Sequence, residues 1–273
     1  MTKLVTTLKK IGLYKPCKYV YLNVYLSLRG KANKTLKHGN TYHCNICNSN
    51  LSKMYPFGIN DDFFVQNIVI GGGYRDHVIC PVCNSTDRER LVYYFLEKHT
   101  SIFSDKCKVL HFAPERNIER KLRKSNNCDY ITGDIVPGRA DCVVDITNIQ
   151  FADETFDYII CNHVMEHITN EELAFSELKR VLKPTGKLIL SVPVCLSNPE
   201  TYEDLTIISP ELRLKHFGQE DHVRLYGLDT KTRLEKYGLK IDEYIFDERE
   251  GVELCEKYGL IKGDRLYYCS KEV

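Results

Sequence analysis

The sequence has no tryptophan and only three methionines among 273 residues. With 18 tyrosines and 11 phenylalanines to fill a core, neither shortage decides much. A local absence says more. Residues 1–60 contain no Asp or Glu, yet hold ten of the 38 Lys and Arg. The other 28 basic residues face 37 acidic ones, so a net charge of +1 hides a +10 segment joined to a −9 body. Such asymmetry points the N-terminal segment toward something anionic, a membrane surface or nucleic acid. A long hydrophobic run is also lacking. The longest, Tyr19–Leu28, is broken by Asn23 and Ser27 and is too short to span a bilayer. No secretory leader is legible, because the start lacks an unbroken apolar core and a small-residue cleavage site. With twelve cysteines, this predicts a reducing cytoplasmic setting with free buried thiols, at most peripheral to the inner membrane.

What is present divides the chain into three parts. Residues 1–39 form a basic extension. Leu4, Val5, Leu8 and Ile11 fall at helical spacing, and aliphatics mixed with Tyr19, Tyr21 and Tyr25 follow Pro16. Residues 1–35 suit peripheral contact with an anionic membrane, or a flexible extension, or a helix packed on the body. Residues 40–90 are cysteine-rich. Cys44 and Cys47, then Cys80 and Cys83, make two C-x-x-C knuckles that together offer four thiolates to a structural Zn²⁺. The intervening 32 residues exceed ordinary ribbon spacing and imply an excursion carrying Phe57, Phe63, Phe64 and Gly71-Gly72-Gly73. A redox pair or four unligated thiols is the competing reading. Arg88 and Arg90 then enter a helix, facing an anionic substrate or forming a solvated first turn.

Residues 91–273 read as an α/β domain. Apolar runs at 109–112, 130–132, 143–145, 156–161 and 187–192 end in polar or acidic residues and alternate with helical patterns. That is the grammar of parallel strands with chemistry at their carboxyl ends. Asn170 suits the N-cap of a helix over 171–182. Late β runs at 239–246 and 265–269 follow a helix over 230–237.

The wording FADETFDYIICNHVMEHI, followed by ELKRVLKPTGKLILSVP, resembles class I S-adenosylmethionine-dependent methyltransferases of the type 11-like group. Three further stretches resemble one bacterial subgroup. These are the loop Leu-His-Phe-Ala-Pro-Glu at 110–115, CPVCNSTDRER at 80–90 and FGQEDHVRLYG at 217–227. The likeness spans about 78–270. It implies a Rossmann-like seven-stranded methyltransferase sheet with the last two strands antiparallel, preceded by a four-cysteine zinc-ribbon-like insert. The implied cofactor is S-adenosylmethionine. One departure stands out: the first loop, 111–115, lacks the family's glycines, which raises the steric cost of close backbone approach.

Site assignments follow. Asp134, at the end of the second strand, has the offset of a carboxylate that binds a ribose diol; capping a turn is its alternative. The resemblance gives Asp145 and Ile146 to the adenine, Glu115 to the methionine ammonium, and His111 and Ala113 to the first loop. Asn162 and His163 follow the fourth strand and should face the sulfonium. Glu166-His167 reads as ordering the strand-to-helix turn. Residues 193–226 form an acceptor lid in which His222 is the candidate general base, with Arg224 and Tyr202 as candidate substrate contacts. A lattice of ion pairs pinning the lid is the alternative. The leading function is methylation of a small polar or glycan-type acceptor in surface-polysaccharide metabolism. An RNA methyltransferase gripping RNA with knuckle and N-terminus is second, and a non-catalytic zinc-stabilised binding module third. Nucleic acid is the less favoured partner because the catalytic body is acidic.

Overall fold

The structure, a computed structural model, describes residues 30–35 and 37–272. Of the amphipathic stretch read over 1–35, residues 1–29 lie outside them. In chain order the insert supplies β1 (His38–Cys44), β2 (Ser49–Leu51), β3 (Tyr55–Phe57), α1 (Asp62–Gln66), β4 (Val69–Ile70) and β5 (Arg75–Ile79). Helix α2 (Asp87–His99) follows. It starts at a full capping box, with Thr86 accepting from Glu89 N and Glu89 accepting from Thr86 N. The boundary expected at residue 90 therefore falls inside a helix.

The body contains β6 (Cys107–Phe112), α3 (Arg116–Leu122), β7 (Cys128–Asp134), β8 (Cys142–Val143), β9 (Phe156–Asn162), α4 (Glu171–Val181) and β10 (Leu182–Ser191). The lid region holds β11 (Val194–Cys195), β12 (Tyr202–Glu203), α5 (Pro210–Phe217) and β13 (Arg224–Leu225). Then come α6 (Thr230–Glu235), β14 (Leu239–Ile245), α7 (Phe246–Glu250), α8 (Val252–Lys257) and β15 (Arg265–Lys271). The sequence pattern did not reveal α7 and α8. The Lys-Pro-Thr-Gly turn is absorbed into the irregular start of β10.

One seven-stranded sheet has the order β14-β15-β10-β9-β6-β7-β8. Strands β10, β9, β6, β7 and β8 are parallel, while β15 runs antiparallel to both its neighbours, β10 and the edge strand β14. The chain steps outward from β6 one way and from β9 the other. A crevice must open at the carboxyl ends of these two neighbours.

Each face of the sheet carries its own core. On one, α4 packs Ala174, Phe175, Leu178 and Val181 against Leu188, Leu190 and Ile159. On the other, Leu91, Val92, Phe95 and Leu96 of α2 meet Val109, Ile160 and Ile189, and the knuckle joins the same cluster through Ile46, Leu51 and Met54. Arg90 ties the knuckle, α2 and the C-terminal helices together. It is fully buried and donates to the carbonyls of Ser85, Val78, Tyr258 and Gly259. It neither faces a substrate nor lies in a solvated first turn.

The excursion between the knuckles crosses to the lid. Strand β4 pairs antiparallel with β11. Val69, Phe63 and Phe64 pack with Cys195, Ile207, Phe217 and Leu225 in a third small cluster. Insert and lid are therefore one wall.

Candidate active site

Two turns at the crevice adopt backbone that favours glycine. Ala113, just past β6, has φ +44°, and His163, just past β9, has φ +52°. A left-handed residue without glycine costs of order 1 kcal/mol or more and persists where its surroundings hold it. The glycine-free first loop thus turns as a glycine would, and the smallest side chain with a Cβ occupies the left-handed position.

Between these turns runs a chain of hydrogen bonds across four strands. Tyr130 OH meets His111 Nδ1 at 2.8 Å, and His111 Nε2 meets Glu115 Oε2 at 2.7 Å. Asn162 Nδ2 donates to Glu115 Oε1 at 3.1 Å, and Ser191 Oγ donates to Asn162 Oδ1 at 3.0 Å. Burial opposes ionisation of Glu115. The hydrogen bond and charge of His111, with help from Asn162, outweigh it and hold the carboxyl below its ordinary range. His111 was expected among the cofactor contacts. Its side chain has no exposed surface and both ring nitrogens are engaged, so it positions Glu115 instead of reaching a ligand.

Asp134 ends β7 and caps the following turn, its Oδ1 accepting from Val136 N at 2.7 Å. Asp145 is exposed, and its Oδ1 accepts from the amide and hydroxyl of Thr147. Ile146 is buried in the sheet core with Leu110, Phe112 and Val144. The carboxylates at the ends of β6 and β7 and the amide at the end of β9 suit the ammonium and diol of S-adenosylmethionine.

The lid residues depart from expectation. Arg224 is buried, with donors committed to Glu203, Met165 O and Ile168 O. It is a clamp on the turn after β9, not a substrate contact, and the ion-pair alternative applies to it. Glu203 also holds Arg233 (2.8 Å). Arg213, in contrast, donates to Ile207 O. Tyr202 is partly exposed and bonds His216 Nδ1 at 2.8 Å. It lies outside the cleft described below. His222 is only 3% exposed, and burial pushes its imidazole down to about 4. A base that weak, lacking solvent access, is poorly placed to take an acceptor's proton. The sequence could not show this, because the burial comes from packing against the turn at 165–168.

The geometry brings forward two other groups. His163, half-buried, sets Nδ1 3.3 Å from Glu166 Oε1. Arg88 lines a cleft of about 700 Å³ between insert and lid, together with Phe57, Phe64, Arg75, Gln219 and Asp221. The Nε of Arg88 is buried without a hydrogen-bond partner among the described residues. Burial and the neighbouring charge of Arg75 push its guanidinium down from its ordinary value. The two groups meet at Gly71 (φ +77°). A side chain there would lie 3.5 Å from the His163 ring and 3.9 Å from Arg88 Nη2. The sequence signalled Arg88 only as one of two arginines beside the second knuckle.

The four knuckle thiols converge, each Sγ within 4.8 Å of the others. Cys44 and Cys83 stand 3.6 Å apart, Cys47 and Cys80 3.7 Å. Thiolates around one tetrahedral ion at about 2.3 Å would be about 3.8 Å apart, so this set could hold such an ion.

Residues 109–190 match the family described as methyltransferase domain. That match covers nearly all of the stretch from β6 to β10. An uncharacterized protein of Methanocaldococcus jannaschii is 38% identical over 74 residues, 26% of this chain and 32% of that one. An uncharacterized methyltransferase of Schizosaccharomyces pombe is 26% identical over 137 residues, 48% of this chain and 45% of that one. The chain thus spans less than half the length of either relative. Among solved structures, the cyclase SpnF shares the fold with a TM-score of 0.50 and 14% identity, covering 80% of this chain and 100% of that one. No helix among the described residues is long and apolar enough to cross a membrane.

Burial opposes ionisation of Glu203, but Arg233 and Arg224 outweigh it and hold its carboxyl below the glutamate range. Its contribution to stability is therefore full above the unfolded value of about 4.3 and is lost as pH falls through the folded value. Denaturant unfolding should show Glu203→Gln destabilised by about 2–3 kcal/mol at pH 7, a gap that narrows below about pH 4.3. A gap that stays constant down to pH 3 would contradict this pairing.

Proposed function

We propose that the protein is an S-adenosylmethionine-dependent methyltransferase of the bacterial subgroup marked by the Leu-His-Phe-Ala-Pro-Glu loop. We assign it a small polar or glycan-type acceptor, in surface-polysaccharide metabolism. The observation that carries the acceptor reading is the cleft between insert and lid. At about 700 Å³ it suits a small molecule. Its wall presents a half-buried cation, Arg88, whose buried Nε lacks a partner among the described residues, and this favours an acceptor bearing a phosphate or carboxylate.

S-adenosylmethionine supplies an electrophilic methyl when bound. Glu115 would hold its ammonium, oriented by His111 and Asn162. Asp134 would take the ribose diol, Asp145 and Ile146 would lie toward the adenine, and Ala113 would present backbone to the methionine end. His163, at the end of β9 and steadied by Glu166, is in place to receive the acceptor's proton. Alignment and exclusion of water complete the protein's contribution. In the knuckle, Cys44, Cys47, Cys80 and Cys83 would hold a structural Zn²⁺. A four-thiolate site has no open position and stabilises rather than reacts.

Calorimetry should show S-adenosylmethionine binding at least tenfold weaker to Asp134→Ala, the loss of a charged hydrogen bond of about 1.5–3 kcal/mol. Methyl transfer should then appear with nucleotide-linked sugars and envelope precursors. Unchanged cofactor affinity in the variant, or transfer to RNA alone, would overturn the reading.

For the knuckle, metal analysis of the purified chain should find one zinc per molecule, with Cys83→Ser losing it and unfolding at lower temperature. Full-length protein that is free of zinc yet equally stable would refute the assignment.

A further inference from the structure

We propose that Glu166, His167 and His222 form a second metal site, for a first-row divalent cation, open to the acceptor cleft. A carboxylate oxygen of Glu166 and one ring nitrogen of each histidine lie within 4.8 Å of one another. Ligand atoms held at about 2.1 Å around one cation stand about 3.0–3.5 Å apart, so small side-chain rotations close the set. Two imidazoles and a carboxylate suit Mn²⁺, Fe²⁺, Co²⁺ or Zn²⁺ and disfavour Ca²⁺ and Mg²⁺, which take all-oxygen cages. The donor set is also chemically distinct from the four thiols of the knuckle.

A second observation, independent of this proximity, asks for a cation. Glu166 is 2% exposed, and its Oε2 is buried without any hydrogen-bond partner among the described residues. Its other oxygen has His163 Nδ1 at 3.3 Å, a long contact. An under-satisfied carboxylate in a dry site is costly unless a positive charge completes it.

The two chain segments that carry the ligands are fixed by bonds to their main chain, and the ligand side chains themselves make only long contacts, His167 Nδ1 with Asp221 O at 3.3 Å and Glu166 Oε1 with His163 Nδ1 at 3.3 Å. Val223 N donates to Glu166 O at 2.9 Å, and Arg224 donates to the carbonyls of Met165 and Ile168. The rings of His167 and His222 meet edge to face at 4.8 Å. Such preorganisation is what a metal site needs from its scaffold. It also gives the buried Arg224 a purpose: holding the turn after β9 against the segment 221–224.

The site is not closed. The His167 side chain is one-third exposed, and Asp221 Oδ2, 3.4 Å from it, belongs to a residue of the cleft wall. Three protein ligands with open positions are the hallmark of a reactive metal site as opposed to a structural one. On the methyltransferase reading given above, on which this part rests, the open positions would hold a hydroxyl of the acceptor. That narrows the acceptor to a hydroxyl-bearing molecule. The acceptor oxygen forms the new bond to the methyl carbon, the carbon–sulfur bond breaks with its electron pair left on sulfur, and the hydroxyl proton passes to His163.

The test uses the full chain and Mn²⁺ as probe, with the signal of free Mn²⁺ followed by electron paramagnetic resonance. One Mn²⁺ should bind per chain, and Glu166→Gln and His222→Ala should each weaken it at least tenfold. His167→Ala, at a partly exposed position, should do the same with the circular dichroism spectrum and melting temperature preserved. Absence of saturable binding below millimolar Mn²⁺, or binding indifferent to His167→Ala, would overturn the site. Calorimetry with S-adenosylmethionine on the same samples separates the two readings. A failed metal site leaves cofactor binding intact, whereas a failed methyltransferase reading abolishes cofactor binding and leaves Mn²⁺ binding in place.

Discussion

The parallel pairing of β6 with β9 is the constraint from which the rest of the molecule follows. Val109 to Phe112 run beside Tyr158 to Cys161 in register. Because the chain leaves these strands in opposite directions, no connection covers their carboxyl ends. That gap receives Glu115 from one strand's loop and Asn162 from the other. A hydrogen bond joins the two side chains directly. Left-handed turns at Ala113 and His163 carry the chain away on either side. The strain at both positions is held by the sheet beneath them.

Around that mouth the protein is held together by buried arginines. Arg75 pairs with Asp87 at 2.7 Å and holds the carbonyls of Gly72 and Gly73. Arg90 gathers four carbonyls from distant segments, and Arg224 fastens the turn after β9 to the lid. The flat guanidinium, always charged and rich in donors, satisfies several carbonyls at once where an ammonium could satisfy fewer in fixed directions. Arg88 differs from these three. Its Nε lacks a partner among the described residues, and it lines the cleft.

Much of the fold was legible because its signals are local. Apolar runs ending in Asp134, Asp145 or Asn162 announced parallel strands, and the spacing of two C-x-x-C pairs announced a thiol cluster. What the sequence hid depends on long-range contact. Nothing local says that Val69–Ile70 will pair with Val194–Cys195 and fuse the insert with the lid. Nothing local distinguishes Arg224, whose donors are committed to Glu203 and to two carbonyls, from Arg88. His222 looked like a base because histidine often is one, and tertiary burial removed that role. Glu166 and His167 looked like turn residues, and they do form a 3₁₀ turn over Met165–His167. Only the return of the chain at His222 gives their side chains a common partner.

The central claim is that the β6–β9 crevice and the cleft between insert and lid are two halves of one site that meet beside His163. A crystal structure with S-adenosylhomocysteine bound tests this most directly. The account predicts the ligand's amino group at Glu115, its ribose at Asp134 and its sulfur turned toward His163 and Arg88. A ligand seated elsewhere, or with its sulfur turned away from that cleft, would contradict it.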